Sequence, residues 1–432
     1  MSLIKRGRII ELWAEENLQF FELVEGDQRT VLSIPIGDRQ FSTIQRGDLV
    51  EVQANTSLEV QRIRRVGGPA QGQWSPLTDG MRWRRSLSGP SRMKRLYQRQ
   101  EILGAIRTDL YSQGFLEVET PLWVKGTCPD VHIDSVNVEG AKDSGYLVSS
   151  TEYQIKRLMV GGFEKVFTLT KNFRAGDRGK FHSSEFTMLE WARAYGSLDQ
   201  PGLERRSLPV LDEIEDDAER FIQGAFLKLY PNVPEALRFG GCEIDLLGKR
   251  WERLTVREAL EKHLGLKNLG DFSMDALCRS CREADLELPS SILQDQHWVV
   301  SYLLDQLQPH LGKKVPTFLR EWPAFMTSSA QLSEKDPYVA ERSELYIAGI
   351  EISDGFPFLR DPVLQREWFA RENHRRQSEG KSPVVLDELY LQALEEGIPE
   401  GAGMALGVDR LVMVLTGASS LGEVQAFGWE EI

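Results

Sequence analysis

The chain has 432 residues, 41% of them hydrophobic and 27% charged, with a net charge of −13. That profile fits a globular chain of two or three domains and argues against a non-specific nucleic-acid coat, although a local basic patch stays compatible with it. No apolar run approaches the ~20 residues of a membrane-spanning helix, and the charged start MSLIKRGRIIELW does not read as a signal peptide. Four cysteines exclude a disulfide scaffold and fit a reducing, cytoplasmic compartment. Cys278 and Cys281 form a lone CxxC in the helical stretch MDALCRSCREADL. With no second ligand pair nearby, they read as ordinary helix cysteines and not as a zinc site.

In chain order, residues 1–66 read as a small β-domain. The segments RGRIIELW, LQFFELVE, RTVLSIPI, DLVEVQAN and LEVQRIRRV are five β-rich runs bounded by Gly, Asp or Asn. Five strands in about 60 residues suggest an OB-like barrel. Trp13, Phe20 and Phe21 have the chemistry to stack on bases, but one or two of them must fill the barrel core. Nine basic residues against ten acidic ones in this stretch make a poor footprint for an anticodon reader. Residues 67–85 read as a Gly/Pro-rich linker. A basic stretch overlaps its end: Arg82, Arg84, Arg85, Arg92, Lys94, Arg95 and Arg99, with Trp83 among them. It suits an acidic protein, an RNA stem or simply a solvated helix face.

From residue 86 to 432 the pattern changes to α/β. The run from Ser91 to Ser112 is helical, with Leu96, Ile102, Leu103, Ile106 and Leu110 on one side. A strand-like GFLEVETPLWV follows. Strand and helix signals alternate over 145–193. An acidic amphipathic helix is expected over Leu211–Leu229, inside an insertion of about 199–250. Strands return at 345–352 and 403–408, and a helix begins near Asp409.

Three separated segments carry chemistry: GFLEVETP, ending at Pro121; VFTLTKNFRAGDRGKFHSSEFTMLEW; and GAGMALGVDRLVMVLTG. Their residue types suit attack of a carboxylate on the α-phosphate of ATP, which crowds negative charge into one place. Arg174, at the end of a strand, can fork onto carboxylate and phosphate together. Arg410, at the start of a helix, can reach the γ-phosphate. Gly401, Gly403 and Gly407 leave room beside the backbone, and Phe186 can stack on adenine. Glu344 and Glu351 lie seven apart in SELYIAGIEISDG. On one straight strand they would face opposite ways, but a turn or bulge near Ala348–Gly349 would make them converge.

In this order the three segments resemble motifs 1, 2 and 3 of the class II aminoacyl-tRNA synthetases, over about residues 86–430. The resemblance implies a mostly antiparallel sheet flanked by helices, a homodimer built through motif 1, and ATP-dependent formation of an aminoacyl-adenylate. It gives ATP-binding roles to Arg174, His182, Phe186, Glu344, Glu351, Ile352, Gly407 and Arg410, with Arg174 and Arg410 catalytic. Glu344 and Glu351 would hold Mg²⁺. Within the class, STEYQIKRLMVGG, EFTMLEW, VAERSELYIAGIE and MALGVDRLVM are most similar to lysyl-tRNA synthetases and, closer still, to the elongation factor P β-lysine ligases, which share Ala405 where lysyl-tRNA synthetases usually carry Gly. Ser150, Glu152, Glu190, Ala192, Asp354, Phe358 and Ala405 then line the amino-acid site, with Glu152 and Glu190 on the substrate amine.

The sequence also departs from that pattern. Motif 2 reads FRAGD where relatives show FRNE, so Gly176 replaces a Glu that helps to hold the adenine end of ATP. Ala192 and Phe358 stand where lysine-type enzymes place a Tyr and a Glu on the distal ammonium. Losing the carboxylate partner of a buried ammonium costs about 3–5 kcal/mol, or two to four decades of affinity at ~1.4 kcal/mol each. The expected substrate is an amino acid or β-amino acid other than α-lysine. Either a shorter or apolar side chain meets Phe358, or Asp354 offers a relocated ammonium partner. The expected acceptor is a protein lysine, as in elongation factor P modification. A divergent tRNA synthetase using the short barrel, or a silent binding paralogue, would account for the same text.

Overall fold

The computed structural model describes residues 3–25, 28–68, 92–140, 142–176, 178–194, 210–232, 236–248, 250–327 and 329–429. Most of the linker, with Arg82, Trp83, Arg84 and Arg85, lies outside them, as do Asp177 and the start of the expected insertion. The chain divides into two compact units, 1–99 with 422–432, and 100–421.

In the first unit, β1 (Leu3–Glu15), β2 (Leu18–Glu25), β3 (Gln28–Pro35), β4 (Leu49–Ala54) and β5 (Val60–Gly67) form one sheet in the order β3-β2-β1-β4-β5. A parallel bridge from Ser33 to Glu59 joins its two edges, which gives the OB-like closure expected from five short strands. A bulge between Ile9 and Glu11 lets the long β1 bend between its two partners. Alternate residues fill the inside: Ile9, Phe21, Leu23, Leu32, Ile34, Val50 and Val52 are buried. Of the three candidate stacking aromatics, Phe21 fills the core, while Trp13 and Phe20 stack on each other with ring centroids 5.6 Å apart. In the basic stretch, Arg95 is ion-paired with Glu423 and Arg92 donates to the Ala426 carbonyl at 3.4 Å.

Helix α1 (Arg92–Ser112) buries Ile102, Ile106 and Leu110, as its spacing predicts. The stretch after it was expected to be one strand. It yields only β6 (Leu116–Glu117) and β7 (Trp123–Val124), because Pro121 interrupts the ladder between them. A small sheet follows from β7, β8 (Asn137–Glu139) and β9 (Ser144–Leu147). Helix α2 (Glu152–Val160), β10 (Lys165–Phe173) and β11 (Glu185–Ala194) come next.

Helix α3 (Val210–Leu229) is the helix expected over Leu211–Leu229. It packs on the sheet, with Phe221 edge-on to Trp191 at 5.0 Å. Its fully buried Glu215 pairs with Arg253 and Arg320 and accepts from the Ser343 hydroxyl at 2.7 Å, which explains why an acidic helix can lie against a sheet. A hairpin of β12 (Leu237–Phe239) and β13 (Cys242–Ile244) leads to β14 (Glu252–Thr255). Helices α4 (Val256–Leu264), α5 (Met274–Glu283) and α6 (Gln296–Leu307) build one apolar cluster beside β15 (Thr317–Pro323). Cys278 and Cys281 sit on α5, both as free thiols.

The chain then forms β16 (Val339–Ile347), β17 (Ile350–Pro357), α7 (Pro362–Ser378), α8 (Glu388–Glu396), β18 (Gly401–Gly407) and α9 (Val408–Thr416). The main sheet has eight strands in the order β14-β15-β16-β17-β18-β11-β10-β6. Only its outermost pairs, β14 with β15 and β10 with β6, are parallel. This is the mostly antiparallel, helix-flanked architecture that the three motifs imply. The stretch 345–352 is not one strand but a hairpin. Ala348 (φ 55°) and Gly349 (φ 77°) both take the left-handed backbone that a two-residue turn needs.

Candidate active site

The register of the central strands assembles the site. Glu344 faces Asp354, Asp354 faces Ala405, Ala405 faces Glu190, and Glu190 faces Thr168. Directly opposed residues share a face, so one row across five strands carries three carboxylates around the small Ala405. The next row, Phe356, Gly403 and Ala192, lies beside it. These rows floor a cavity of about 710 Å³. Of the residues proposed from sequence, Ser150, Glu152, Arg174, His182, Phe186, Glu190, Ala192, Glu344, Glu351, Ile352, Asp354, Phe358, Gly403, Ala405, Gly407 and Arg410 line it, and Gly401 does not.

One end of the cavity is rich in arginine and carboxylate. The Arg174 guanidinium lies over the Phe186 ring, 5.2 Å from its centroid. Its Nε is buried and makes no hydrogen bond among the described residues. A buried donor left without a partner is costly unless a ligand supplies one. Arg410 donates to the Glu351 carbonyl at 3.0 Å, to a Glu351 carboxylate oxygen at 3.2 Å and to the Phe181 carbonyl at 3.1 Å, and sits 2.9 Å from His182 Nε2. The hairpin turn brings Glu344 and Glu351 to one side, close enough to couple electrically. Burial pushes the Glu344 carboxyl well up, and the neighbouring Glu351 and Asp354 add to this against the pull of Arg342. Burial would raise Glu351 too, but Arg410 and Arg174 overcome it and keep that carboxyl low. Glu344 accepts from Arg342 at 2.7 Å and from the Tyr346 hydroxyl at 2.5 Å, so a cation would share its oxygens with these donors. A divalent cation with substrate phosphates in its shell fits such a pair of hard oxygen donors. Among the described residues no cluster of three metal-ligating side chains exists, so protein ligands alone would not complete a metal's shell.

In the loop after Arg174, Gly176 has φ +80°. A Glu in this conformation would be strained, whereas glycine takes it freely.

The other end is lined by α2. Thr151, the residue before the helix, does not cap it. Its hydroxyl instead donates to Glu190 at 2.9 Å and meets the Thr168 hydroxyl at 2.7 Å, while its N–H donates to Glu190 at 2.9 Å. The Ser150 side chain also bonds Glu190. Glu190 is buried, and that burial raises its pKa to about 7 against the bonds from Ser150 and Thr151. Glu152, read from the sequence as a carboxylate for the substrate amine, lines the cavity with one oxygen already engaged. Its carboxylate holds the ammonium of Lys156 at 2.6 Å. Asp354 is likewise no partner for a relocated ammonium. Arg342 grips both its oxygens, at 2.9 and 3.1 Å, and donates to Glu344 at 2.7 Å. Phe358 closes this end: a side chain on Gly401 or Gly403 would meet its ring at 3.0 or 3.2 Å, and Ala192 lies in the same buried cluster.

Lys156 and Arg342 were not singled out from sequence. Both stand in the quoted segments, and the four-residue step from Glu152 to Lys156 on a helix was the available signal. Nothing local marks Tyr390, which reaches Lys156 from 234 residues away.

The family described as tRNA synthetases class II (D, K and N) matches residues 81–431. The chain is 35% identical over 353 residues to the elongation factor P–(R)-β-lysine ligase of Salmonella gallinarum, covering 80% of this chain and 97% of that protein. It is 32% identical over 352 residues to the ligases of the same name from Salmonella paratyphi B and Salmonella heidelberg, with the same coverage. The barrel strands precede the family match.

Proposed function

Since the chain belongs to the class II tRNA synthetase family and is an ATP-dependent ligase, we propose that it joins an amino acid or β-amino acid to an acceptor through an aminoacyl-adenylate. The proposed acceptor is a lysine of elongation factor P, the protein that its relatives' name specifies. The observation that carries this reading is the unpartnered Arg174 Nε, buried beside Phe186 in the cavity that also holds Arg410, the Glu344–Glu351 pair and Glu190.

In this reading Glu190, ionised, holds the substrate amine. Arg174 draws the substrate carboxylate against the α-phosphate and stabilises the charge that builds there. A carboxylate oxygen attacks α-phosphorus and pyrophosphate leaves. The acceptor's neutral amine then attacks the acyl carbon and AMP leaves. Arg410 and His182 face the outer phosphates, Phe186 stacks on adenine, and Ile352 and Gly407 shape the nucleotide side. Glu344 and Glu351 would hold Mg²⁺, which supplies charge neutralisation for the phosphates when bound. A homodimer and a cytoplasmic setting belong to the same proposal. Among the described residues no helix is long and apolar enough to cross a membrane. The test is Mg²⁺-dependent exchange of labelled pyrophosphate into ATP, followed by acyl transfer to purified elongation factor P. Exchange with no amino acid would overturn the reading, and exchange with transfer to tRNA alone would move the acceptor.

A further inference from the structure

Lys156 lies on the inner side of α2, 1% exposed, in the wall of the substrate cavity. Glu152 Oε1 is 2.6 Å from its nitrogen and the Tyr390 hydroxyl 3.4 Å. That hydroxyl donates to Gln365 at 3.2 Å, so it accepts from Lys156. The rings of Phe358, Phe356 and Tyr390 stand 5.3, 5.4 and 5.6 Å from the same nitrogen. Burial alone would lower the lysine's pKa, but Glu152 and Tyr390 outweigh it and raise it. The cavity thus carries its own charged ammonium, caged by aromatic faces. An ammonium has three N–H donors, and this one has two oxygen partners among the described residues.

Counting charges at this end decides what else fits. One oxygen of Glu152 is taken by Lys156, and both oxygens of Asp354 by Arg342. Ala192 and Phe358 bring no charge. Glu190 takes the reacting amine in the reading above, on which this inference rests. A lysine-like side chain would place a second ammonium beside Lys156, with only the second oxygen of Glu152 and the carboxylate of Asp130 on the cavity wall to offset it. A side chain ending in a carbonyl or carboxylate oxygen would instead accept the third N–H.

We propose that Lys156 sets side-chain specificity, and that the amino acid activated ends in a hydrogen-bond acceptor or acid in place of the ammonium of lysine or β-lysine.

The experiment is pyrophosphate exchange by the full chain with α-lysine, (R)-β-lysine, glutamine, glutamate, the β-isomers of the last two, and methionine as an apolar control. The expected result is kcat/KM for at least one acceptor-ended substrate 100-fold or more above both lysines. Lys156→Met should lower that value more than 30-fold while methionine falls less than 5-fold, whereas loss of a merely structural lysine would lower all substrates alike. If Lys156→Met does not fold, Lys156→Arg serves, and it should keep the acceptor-ended preference. The wild-type panel is decisive by itself. Either lysine as the best substrate overturns this proposal and leaves the activation reading standing. A uniform fall in Lys156→Met overturns it as well. No exchange with any substrate overturns both.

Discussion

Arg174 and Glu351 both line the cavity, and the charge of Arg174 helps to hold the Glu351 pKa down. Arg174→Ala should therefore lower exchange by at least 100-fold, the scale of losing a transition-state donor, while binding of the free amino acid, read by calorimetry, falls less. Equal losses in both would assign Arg174 to ground-state binding. Glu190 gives a pH test. Its carboxyl titrates at 4.5 in the unfolded chain and at about 7 when buried, so the native state holds an extra proton between those values. The stability this proton gives is present in full below 4.5 and is lost as pH rises through about 7. At ~1.4 kcal/mol per unit the loss is at most on the order of 3 kcal/mol. Urea denaturation from pH 4.5 to 8 should show this decline in the wild type and a flatter profile in Glu190→Gln. Parallel profiles would contradict it. At this scale the sequence was legible where a motif names a residue by type and offset, as with Arg174, Arg410 and the two glutamates. It was silent where a partner comes from far along the chain. Glu152 looked available because neither the buried path of Lys156 nor Tyr390 can be seen in a linear text, and Asp354 looked available for the same reason before Arg342 folded over it.

Elements were readable where a period of two or 3.6 was unbroken. The five barrel strands, α1 and α9 have that property. GFLEVETPLWV lacked it at Pro121, and 345–352 lacked it at Ala348–Gly349, where the spacing of the two glutamates already asked for a turn or bulge. That turn matters for the site, since it sets Glu344 beside Glu351. Gly349→Val would force a branched residue to positive φ and push a Cβ within 3.2 Å of the Gln308 carbonyl. It should cost about 2 kcal/mol in urea denaturation and lower exchange further than that loss explains at a permissive temperature. Ala348→Asn, which suits the same turn, should raise the melting temperature slightly and leave exchange intact. The α3 helix carries a harsher test. Removing the buried carboxylate in Glu215→Ala leaves Arg253 with Asp216 and Glu219 and Arg320 with Asp212, so destabilisation of about 1–3 kcal/mol is expected, below the cost of a fully unpaired buried charge. A change under 1 kcal/mol would mean that the pair gains little over solvent.

For the whole molecule, the acidic balance and the evenly charged barrel predict weak tRNA binding that fades between 50 and 200 mM salt. Filter binding with total tRNA measures it, and tight, salt-resistant binding would restore the tRNA reading. The dimer proposed from motif 1 should appear as twice 49.1 kDa in light scattering at micromolar concentration. Fold class could be read from strand texture and three ordered motifs, because each is local or nearly so. The cavity could not, since the residue roles meet only when five strands fall into register. The central claim is that this register builds a site for carboxylate activation. Amino-acid-dependent exchange of labelled pyrophosphate into ATP, with and without Mg²⁺, tests it most directly. The account predicts exchange that needs both the amino acid and Mg²⁺ and disappears in Arg174→Ala. No exchange by the folded wild type with any α- or β-amino acid, or exchange that survives Arg174→Ala unchanged, would contradict it.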